Sequence, residues 1–369
     1  MSILIVILVF GVIILVHETG HLFAAKKAGI KVEVFSLGMG KKLIGMQIGE
    51  TEYRLSLVPF GGYCKMAGED PEDRKGNENE FGSKPVGHRF WVIIAGSLMN
   101  YIFAFLLFWV IFMAGVPTMS NKIGQVLADY PAQKAGIAIG DRVNSINGAK
   151  IEYWEDLLSA IQKYSEGGKD LELSVERNGA NMQFRVKPDV HEVKNIFGQV
   201  ITRPMLGVGP ASEITAVRYG IVKSSYYAGK HLFELSGMTY KMMWMILTRG
   251  MPVKDTMSGP IGIAFFIKQA ASTGIIPLLV VMAHISMALA IFNMLPFPVL
   301  DGGHAVLLLI EKIRGRALSM KIQSAMANAA VVLLIALAVF ISFHDIMRFT
   351  PLGKGKVFQE ATGKNVSEP

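Results

Sequence analysis

The chain has 369 residues, 51% of them hydrophobic and only 18% charged, with a formal net charge of +8. The apolar residues gather into long blocks, which excludes an ordinary soluble domain, and the single cysteine, Cys64, excludes a fold held by an internal disulfide. Lys and Arg collect in loops beside the apolar blocks, so the positive charge reads as a topology signal rather than a nucleic-acid surface.

Crossing a hydrocarbon core takes about 20 apolar residues in a helix. Four stretches meet that requirement: Ile3 to Ala25, Phe90 to Gly115, Ile275 to Leu300 and Ala325 to Phe343. The first has no basic leader and no small-residue cleavage site, so it is expected to stay in the mature protein. Between Val32 and Cys64 the runs VEVFSLGMG, KKLIGMQIG and TEYRLSLVPFGGYC are β-branched, aromatic and broken by Gly, which predicts a small membrane-associated β segment over residues 32–68. Residues 69–89, opening with the acidic stretch Glu69 to Lys84, are expected as a solvated cytoplasmic loop or lid hinge.

From Lys122 to about Pro210, alternating strands, the helical WEDLLSAIQKY and Gly-rich turns predict one compact soluble α/β domain over 120–210. Residues 215–250 have helical apolar spacing interrupted by Lys223, Lys230, Glu234 and Lys241, which predicts an amphipathic helix at the membrane surface. A connector (251–274), a third span (275–300), a cytoplasmic loop (301–324), a fourth span (325–344) and a flexible tail complete the expected order. Lys26, Lys27, Lys31, Lys41 and Lys42 follow the first span, Arg89 precedes the second, and Lys312, Arg314, Arg316 and Lys321 lie between the third and fourth. Those sides are expected to be cytoplasmic and the α/β domain extracytoplasmic, with Arg348, Lys354, Lys356 and Lys364 in the tail running against that orientation.

The chemistry-bearing motif is HETGH at 17–21. His17 and His21 stand four apart on a segment that must be helical, so both imidazoles leave one face and can share a metal ion with Glu18 beside them. Two imidazoles and a carboxylate suit Zn²⁺ with one open position, and Glu18 suits a general base for hydrolysis. A chance match with packed histidines is the alternative, but each ionisable group in a spanning helix costs about 2 to 3 kcal/mol, which coordination explains. Asp301, in NMLPFPVLDGG, is expected as third ligand at the end of the third span; Asp345, Asp255 and Glu311 fit less well, and a helix cap is the competing role. Pro296 and Pro298 break the helix before it, and Gly302 and Gly303 permit close backbone approach. Asn293 could steady substrate or bond a neighbouring helix, His284 is expected to pack, and Gly61, Gly62 and Tyr63 could sit against an extended substrate held by a strand edge, or form a turn.

These residues resemble the site-2 protease family of intramembrane zinc metalloproteases, in its bacterial RseP-like branch. The resemblance rests on HETGH, SLGMGKKL with GETEYRLSLVPFGGYCKM, RFWVIIAGSLMNYIFA, SGPIGIA and NMLPFPVLDGG, in order along nearly the whole chain. It implies a polytopic α-helical membrane protein of about four spans with an inserted PDZ domain. Here there is room for one such domain, where the best-known enterobacterial relative has two. It implies zinc on His17, His21 and Asp301, Glu18 as base, Asn293 and the β segment toward substrate, and a PDZ carboxylate loop at Met205, Leu206, Gly207 and Val208. Substrates would be single-span membrane proteins already trimmed outside, such as anti-sigma factors, or remnant signal peptides. The competing classes are a zincin whose site faces water and a non-enzymatic PDZ scaffold; the position of HETGH inside a span weighs against both.

Overall fold

A computed structural model describes residues 2–165, 168–194, 200–249 and 258–349. In chain order the elements are α1 (Ser2–Lys27), β1 (Val32–Ile48), β2 (Thr51–Met66), α2 (Val86–Ala114), β3 (Val116–Met119), β4 (Ile123–Val126), α3 (Pro131–Lys134), β5 (Arg142–Ile146), β6 (Ala149–Lys150) and α4 (Trp154–Tyr164). They continue with β7 (Leu171–Arg177), β8 (Ala180–Val186), β9 (Asp189–Lys194), β10 (Val200–Met205), β11 (Val208–Pro210), β12 (Ile214–Val217), α5 (Ile221–Arg249), α6 (Pro260–Thr273), α7 (Ile275–Asn293), α8 (Asp301–Arg314) and α9 (Met320–Phe349). They form two compact units, one of the residues up to Ile111 together with those from Lys223 onward, the other Phe112–Val222.

In the first unit, α1, α2, α7 and α9 are long and apolar enough to cross a membrane. Their outward faces carry large apolar side chains, such as Leu4, Ile102, Val332 and Phe340, which water would penalise and lipid would not. Inside, Val9 and Ile13 of α1 pack on Ile267 of α6 and Met282 of α7. A second core joins the end of α1 (Leu22, Ala25) to the β segment (Val32, Phe35, Cys64) and to Val92 of α2. Cys64 is a packing residue there, its thiol pushed up to about 12 by burial first and by the neighbouring carboxylates of Glu18 and Glu69 second, so it is inert at neutral pH.

Strands β1 and β2 pair antiparallel, but the register doubles back. Val34 to Leu37 pair with Glu52 to Leu55 and also with Gly62 to Lys65, while Ile44 to Ile48 close a hairpin on Thr51 to Leu55. The 62–66 stretch therefore forms a rim of the sheet, and β1 is the only strand that pairs with β2 among the described residues.

Three expectations need correction. The third span ends at Asn293, not Leu300, because Pro296 and Pro298 cannot continue a helix, and Asp301 opens α8 instead of closing α7. Residues 301–314 of the expected loop are thus helical, ended by Gly315 in the left-handed region at φ 73°. The acidic stretch after Glu69 is solvated as expected, residues 72–79 being exposed, but its end is anchored: Glu80 is 3% exposed and its carboxylate accepts from Lys75 N, Gly76 N and Asn77 Nδ2, while Phe81 N donates to Ala67 O. The helix expected over 215–250 begins only at Ile221, Ile214–Val217 being strand, and it packs on α2, where Tyr101 Oη and Ser236 Oγ are 2.6 Å apart and the Phe108 ring meets His231 edge-on. Asp255 and most of the tail lie outside the described residues.

The second unit is α/β. Its main sheet has the order β6-β5-β7-β8, and β3 pairs with β12, bringing its two ends together. Asn178 (φ 51°) and Gly179 (φ 81°) form the two-residue turn between β7 and β8, the left-handed geometry that an Asn-Gly pair supplies at least cost. Strand alternation buries Leu171, Leu173 and Val175 against Val143, Ile146 and Leu157. Asp141, fully buried, binds Arg177 through Nε (2.7 Å) and an NH2 nitrogen (2.8 Å) and accepts from Ala138 N (2.9 Å). Burial pushes its carboxyl up, but the guanidinium and the N–H outweigh it and hold the group below the ordinary carboxylate range.

Because that folded value is depressed, the stabilisation is present above the unfolded carboxylate value of about 4 and fades as pH falls through the folded one. Asp141→Asn should therefore destabilise this unit by about 3 kcal/mol at pH 7. The penalty should show as faster hydrogen exchange in β5 and β7 of the full-length protein and should shrink below pH 4.

Candidate metal centre

Residues 2–27 form one uninterrupted helix that carries two histidines and a glutamate. Thr19 disposes of its hydroxyl by donating to Leu15 O at 2.6 Å. His17 and His21 project from the same face, their ring centroids 4.8 Å apart, and are 8% and 9% exposed.

Helix α2 approaches α1 closely at that level because both carry glycine there. A Cβ on Gly20 would stand 2.3 Å from Ala95 O, and one on Gly96 would stand 2.2 Å from His21 Nε2 and 2.8 Å from His17 Cε1. The approach lets His21 Nδ1 reach Val92 O at 2.8 Å. A carbonyl only accepts, so the ring proton sits on Nδ1 and Nε2 presents a bare lone pair.

That lone pair meets two other bases. His21 Nε2 is 3.2 Å from His17 Nε2, and Asp301 Oδ2 is 3.4 Å from His17 Nε2 and 3.7 Å from His21 Nε2. Ser97 Oγ, one residue beyond Gly96, donates to Asp301 Oδ2 at 3.0 Å. Ligands about 2.0 to 2.2 Å from one tetrahedral centre stand about 3.3 to 3.5 Å from each other, so these three atoms fit a shared Zn²⁺. Among the described residues they form the one His, Cys, Asp or Glu group with metal-holding geometry. Asp301 gets there as the first residue of α8; Gly302 and Gly303 allow the tight turn, their missing Cβ atoms falling 2.3 Å from Met294 O and 2.1 Å from Phe297 O. The close approach offered by those glycines is to their own loop rather than to α1.

The centre opens on a cleft of about 910 Å³ lined by His17, Glu18, His21, residues 62–66, Glu69, Arg89, Asp301, His304 and Glu311. Gly62 lies tight against α1 beside Glu18: a Cβ would meet Ile14 Cγ2 and Ser36 O at 2.9 Å and Glu18 Cγ at 3.1 Å. Gly61 has φ 97°, and Tyr63 lies under the Arg54 guanidinium at 5.2 Å. Asn293 Nδ2 stands 3.5 Å from His17 Nε2. Across the cleft, Arg89 makes a two-pronged bond to Glu311 (2.6 and 3.2 Å) and donates through Nε to Lys84 O, tying α2 to the helix that starts with Asp301.

Other carboxylates are engaged elsewhere: Asp345 Oδ2 accepts from Gly262 N at 2.8 Å, and Glu311 belongs to Arg89. His284 Nδ1 bonds Val280 O and the ring packs on Phe108. In the other unit, Met205 ends β10, Val208 begins β11, and the carbonyls of Leu206 and Gly207 accept from Ala132 N and Leu127 N. Sequence reasoning did not single out Val92, Gly96 and Ser97; the signal was the run Ala95-Gly96-Ser97, small residues inside a span, which permits close helix contact.

The sequence profile of Peptidase family M50 matches residues 5–337. A Campylobacter jejuni protein provisionally named a zinc metalloprotease is 32% identical over 346 residues, covering 93% of this chain and 92% of its own. The regulator of sigma-W protease RasP of Bacillus subtilis is 28% identical over 422 aligned residues, covering 93% of this chain and 97% of its own. The PDZ domain of an SdrC-like protein from Listeria innocua aligns with 26% of this chain and 96% of its own, at 19% identity and a TM-score of 0.20. With the family profile spanning most of the sequence and the HETGH and LDG segments converging as described, the chain belongs to Peptidase family M50, the site-2 protease family.

Proposed function

We propose that this protein is a zinc-dependent endopeptidase that hydrolyses peptide bonds within the transmembrane segments of single-span membrane proteins. One observation carries the reading: His17 Nε2 and His21 Nε2, on a helix apolar enough to span a bilayer, converge with Asp301 Oδ2 within 3.2 to 3.7 Å. The metalloprotease name of the Campylobacter relative and the protease name of RasP support it.

His17, His21 and Asp301 hold the metal, and a zinc ion bound there supplies a Lewis acid that acidifies water to a pKa of about 7 and polarises the scissile carbonyl. Glu18, next in sequence to a ligand and lining the same cleft, takes the proton of the attacking water and returns it to the leaving amine. Ser97 fixes the Asp301 carboxylate by its hydrogen bond. A helical substrate conceals its peptide bonds, so it must be extended before attack. The 62–66 rim of β2 borders the cleft and can pair with an unwound segment, with Gly61, Gly62 and Tyr63 shaping the contact and Asn293 steadying its backbone.

The Lys- and Arg-rich ends of α1 and α8 support an orientation with the cleft toward the cytoplasm of a bacterial inner membrane and residues 112–222 on the other side. That unit acts as a PDZ module, with residues 205–208 as the loop for a substrate's carboxylate. Substrates are proteins trimmed beforehand by another protease, anti-sigma factors foremost, as the sigma-regulating name of RasP suggests, or remnant signal peptides.

Glu18→Gln should reduce cleavage of a transmembrane reporter by at least about 100-fold while zinc content of the purified protein stays near wild type. Retained cleavage would remove Glu18 from the base role. Asp301→Ala should lose most of its zinc by elemental analysis, and His284→Ala should keep it; a zinc-replete Asp301 variant would overturn the ligand set. Gly96→Val should abolish zinc retention by forcing α2 away from both imidazoles, and wild-type zinc in that variant would contradict the close-approach geometry.

A further inference from the structure

The metal centre as described is asymmetric in its support. His21 is oriented by Val92 O, whereas His17 has only a minor backbone contact with Gly96, and its buried Nδ1 makes no well-formed hydrogen bond. A metal-ligating histidine almost always donates its other ring N–H to a carboxylate, a carbonyl or water, which fixes the tautomer and turns the metal-facing nitrogen toward the ion. The partner for His17 therefore has to be found among groups packed on it.

One residue answers. Asn100 on α2 is 0% exposed, and both its Nδ2 and Oδ1 atoms lack a hydrogen-bond partner. A buried amide left unpaired is costly and rare in native proteins. Asn100 is four residues after Gly96, whose Cβ position would touch His17 Cε1, the carbon between the two ring nitrogens. Residues four apart share a helix face, so Asn100 looks out of α2 on the side that faces His17, one turn or about 5.4 Å further on. That direction is also correct for antiparallel helices: Gly20 of α1 lies against Ala95, so the earlier His17 lies against later residues of α2. Ser286 of α7, also 0% exposed, sits at the same level, its Oγ donating to Asn100 O at 2.9 Å.

We propose that Asn100 is a positioning residue for the metal centre, bridging through one buried water to His17 Nδ1. A buried water needs two to four polar partners, and the His17 N–H, the Asn100 amide and the Ser286 hydroxyl oxygen supply them. The water accepts from His17 Nδ1–H and donates to Asn100 Oδ1, which holds the proton on Nδ1 and leaves His17 Nε2 bare. Asn100 touches neither metal nor substrate in this arrangement; it acts through His17. The inference rests on His17 being a zinc ligand, so its test separates the two claims.

The test compares zinc affinity of the purified full-length protein, by competition with a chelator, for wild type, His17→Ala, Asn100→Leu and Asn100→Ser. The visible spectrum of the cobalt-substituted forms and the thermal midpoint of the zinc-free forms are measured alongside. His17→Ala must lose the metal; if it does not, the ligand assignment itself fails. Asn100→Leu should bind zinc about 10- to 100-fold more weakly with a shifted cobalt spectrum, while its zinc-free midpoint is unchanged or raised, since an apolar isostere removes an unpaired amide. Asn100→Ser, which keeps a hydroxyl for the water network, should restore affinity to within a few-fold. An Asn100→Leu protein with wild-type affinity and spectrum, or one whose loss follows a lowered zinc-free midpoint, overturns the proposal. So does experimental density fine enough to resolve ordered water that shows none between Asn100 and His17, a measurement on the wild type that no folding defect can obscure.

Discussion

The structure turns on the contact between α1 and α2 at Gly20 and Gly96. Two imidazoles and a carboxylate inside spanning helices are each expensive to insert, and each would be worse placed if any side chain stood between the helices. With glycine on both sides, the α2 backbone comes near enough for Val92 O to orient His21 and for Ser97 to hold Asp301. The glycines thus do more than relieve crowding; they turn a lattice of apolar helices into a wall of backbone acceptors and hydroxyl donors around three ligand atoms.

A hydrolytic centre in a bilayer also has to solve two problems that a soluble one does not. Water must reach it, and a helical substrate must be opened. The cleft bears on the first, since Glu69, His304 and the Arg89–Glu311 pair stand on its wall among apolar side chains. The doubled register of β1 and β2 addresses the second. Because Val34 to Leu37 are paired on both sides, the 62–66 stretch is pushed to the outside, beside Glu18, with Gly62 seated on α1. The Arg89–Glu311 bond has two roles: it anchors α8, and so Asp301, to the start of α2, and it forms part of the cleft wall.

What was legible in the sequence was local. HETGH shows its i, i+4 geometry directly, and four apolar runs announce four helices, because each signal lies within one element. What could not be read is what depends on partners. Nothing in Ala95-Gly96-Ser97 says which helix it faces, so the groups that hold the ligands in place went unnoticed. The acidic stretch after Glu69 is solvated, as its low apolar content says, but nothing in that content says that Glu80 turns inward and collects the N–H groups of its own loop. Asp301 is expected to close the third span, whereas it opens the next helix. Pro296 and Pro298 announced a break without saying that a new helix begins at Asp301, a distinction made by the Met294–Leu300 turn and its contacts with Gly302 and Gly303.

That helix start bears on why the third group is a carboxylate and not another histidine. In a low-dielectric interior the net charge of a cluster is what desolvation penalises, and a zinc ion on neutral imidazoles alone would bring two uncompensated charges into the membrane. On the proposed ligand set Asp301 offsets one of them, and Glu18 lines the same cleft. Placing Asp301 in the first turn of α8 adds a second compensation, because the unpaired N–H groups there favour a negative charge whether or not an ion is present.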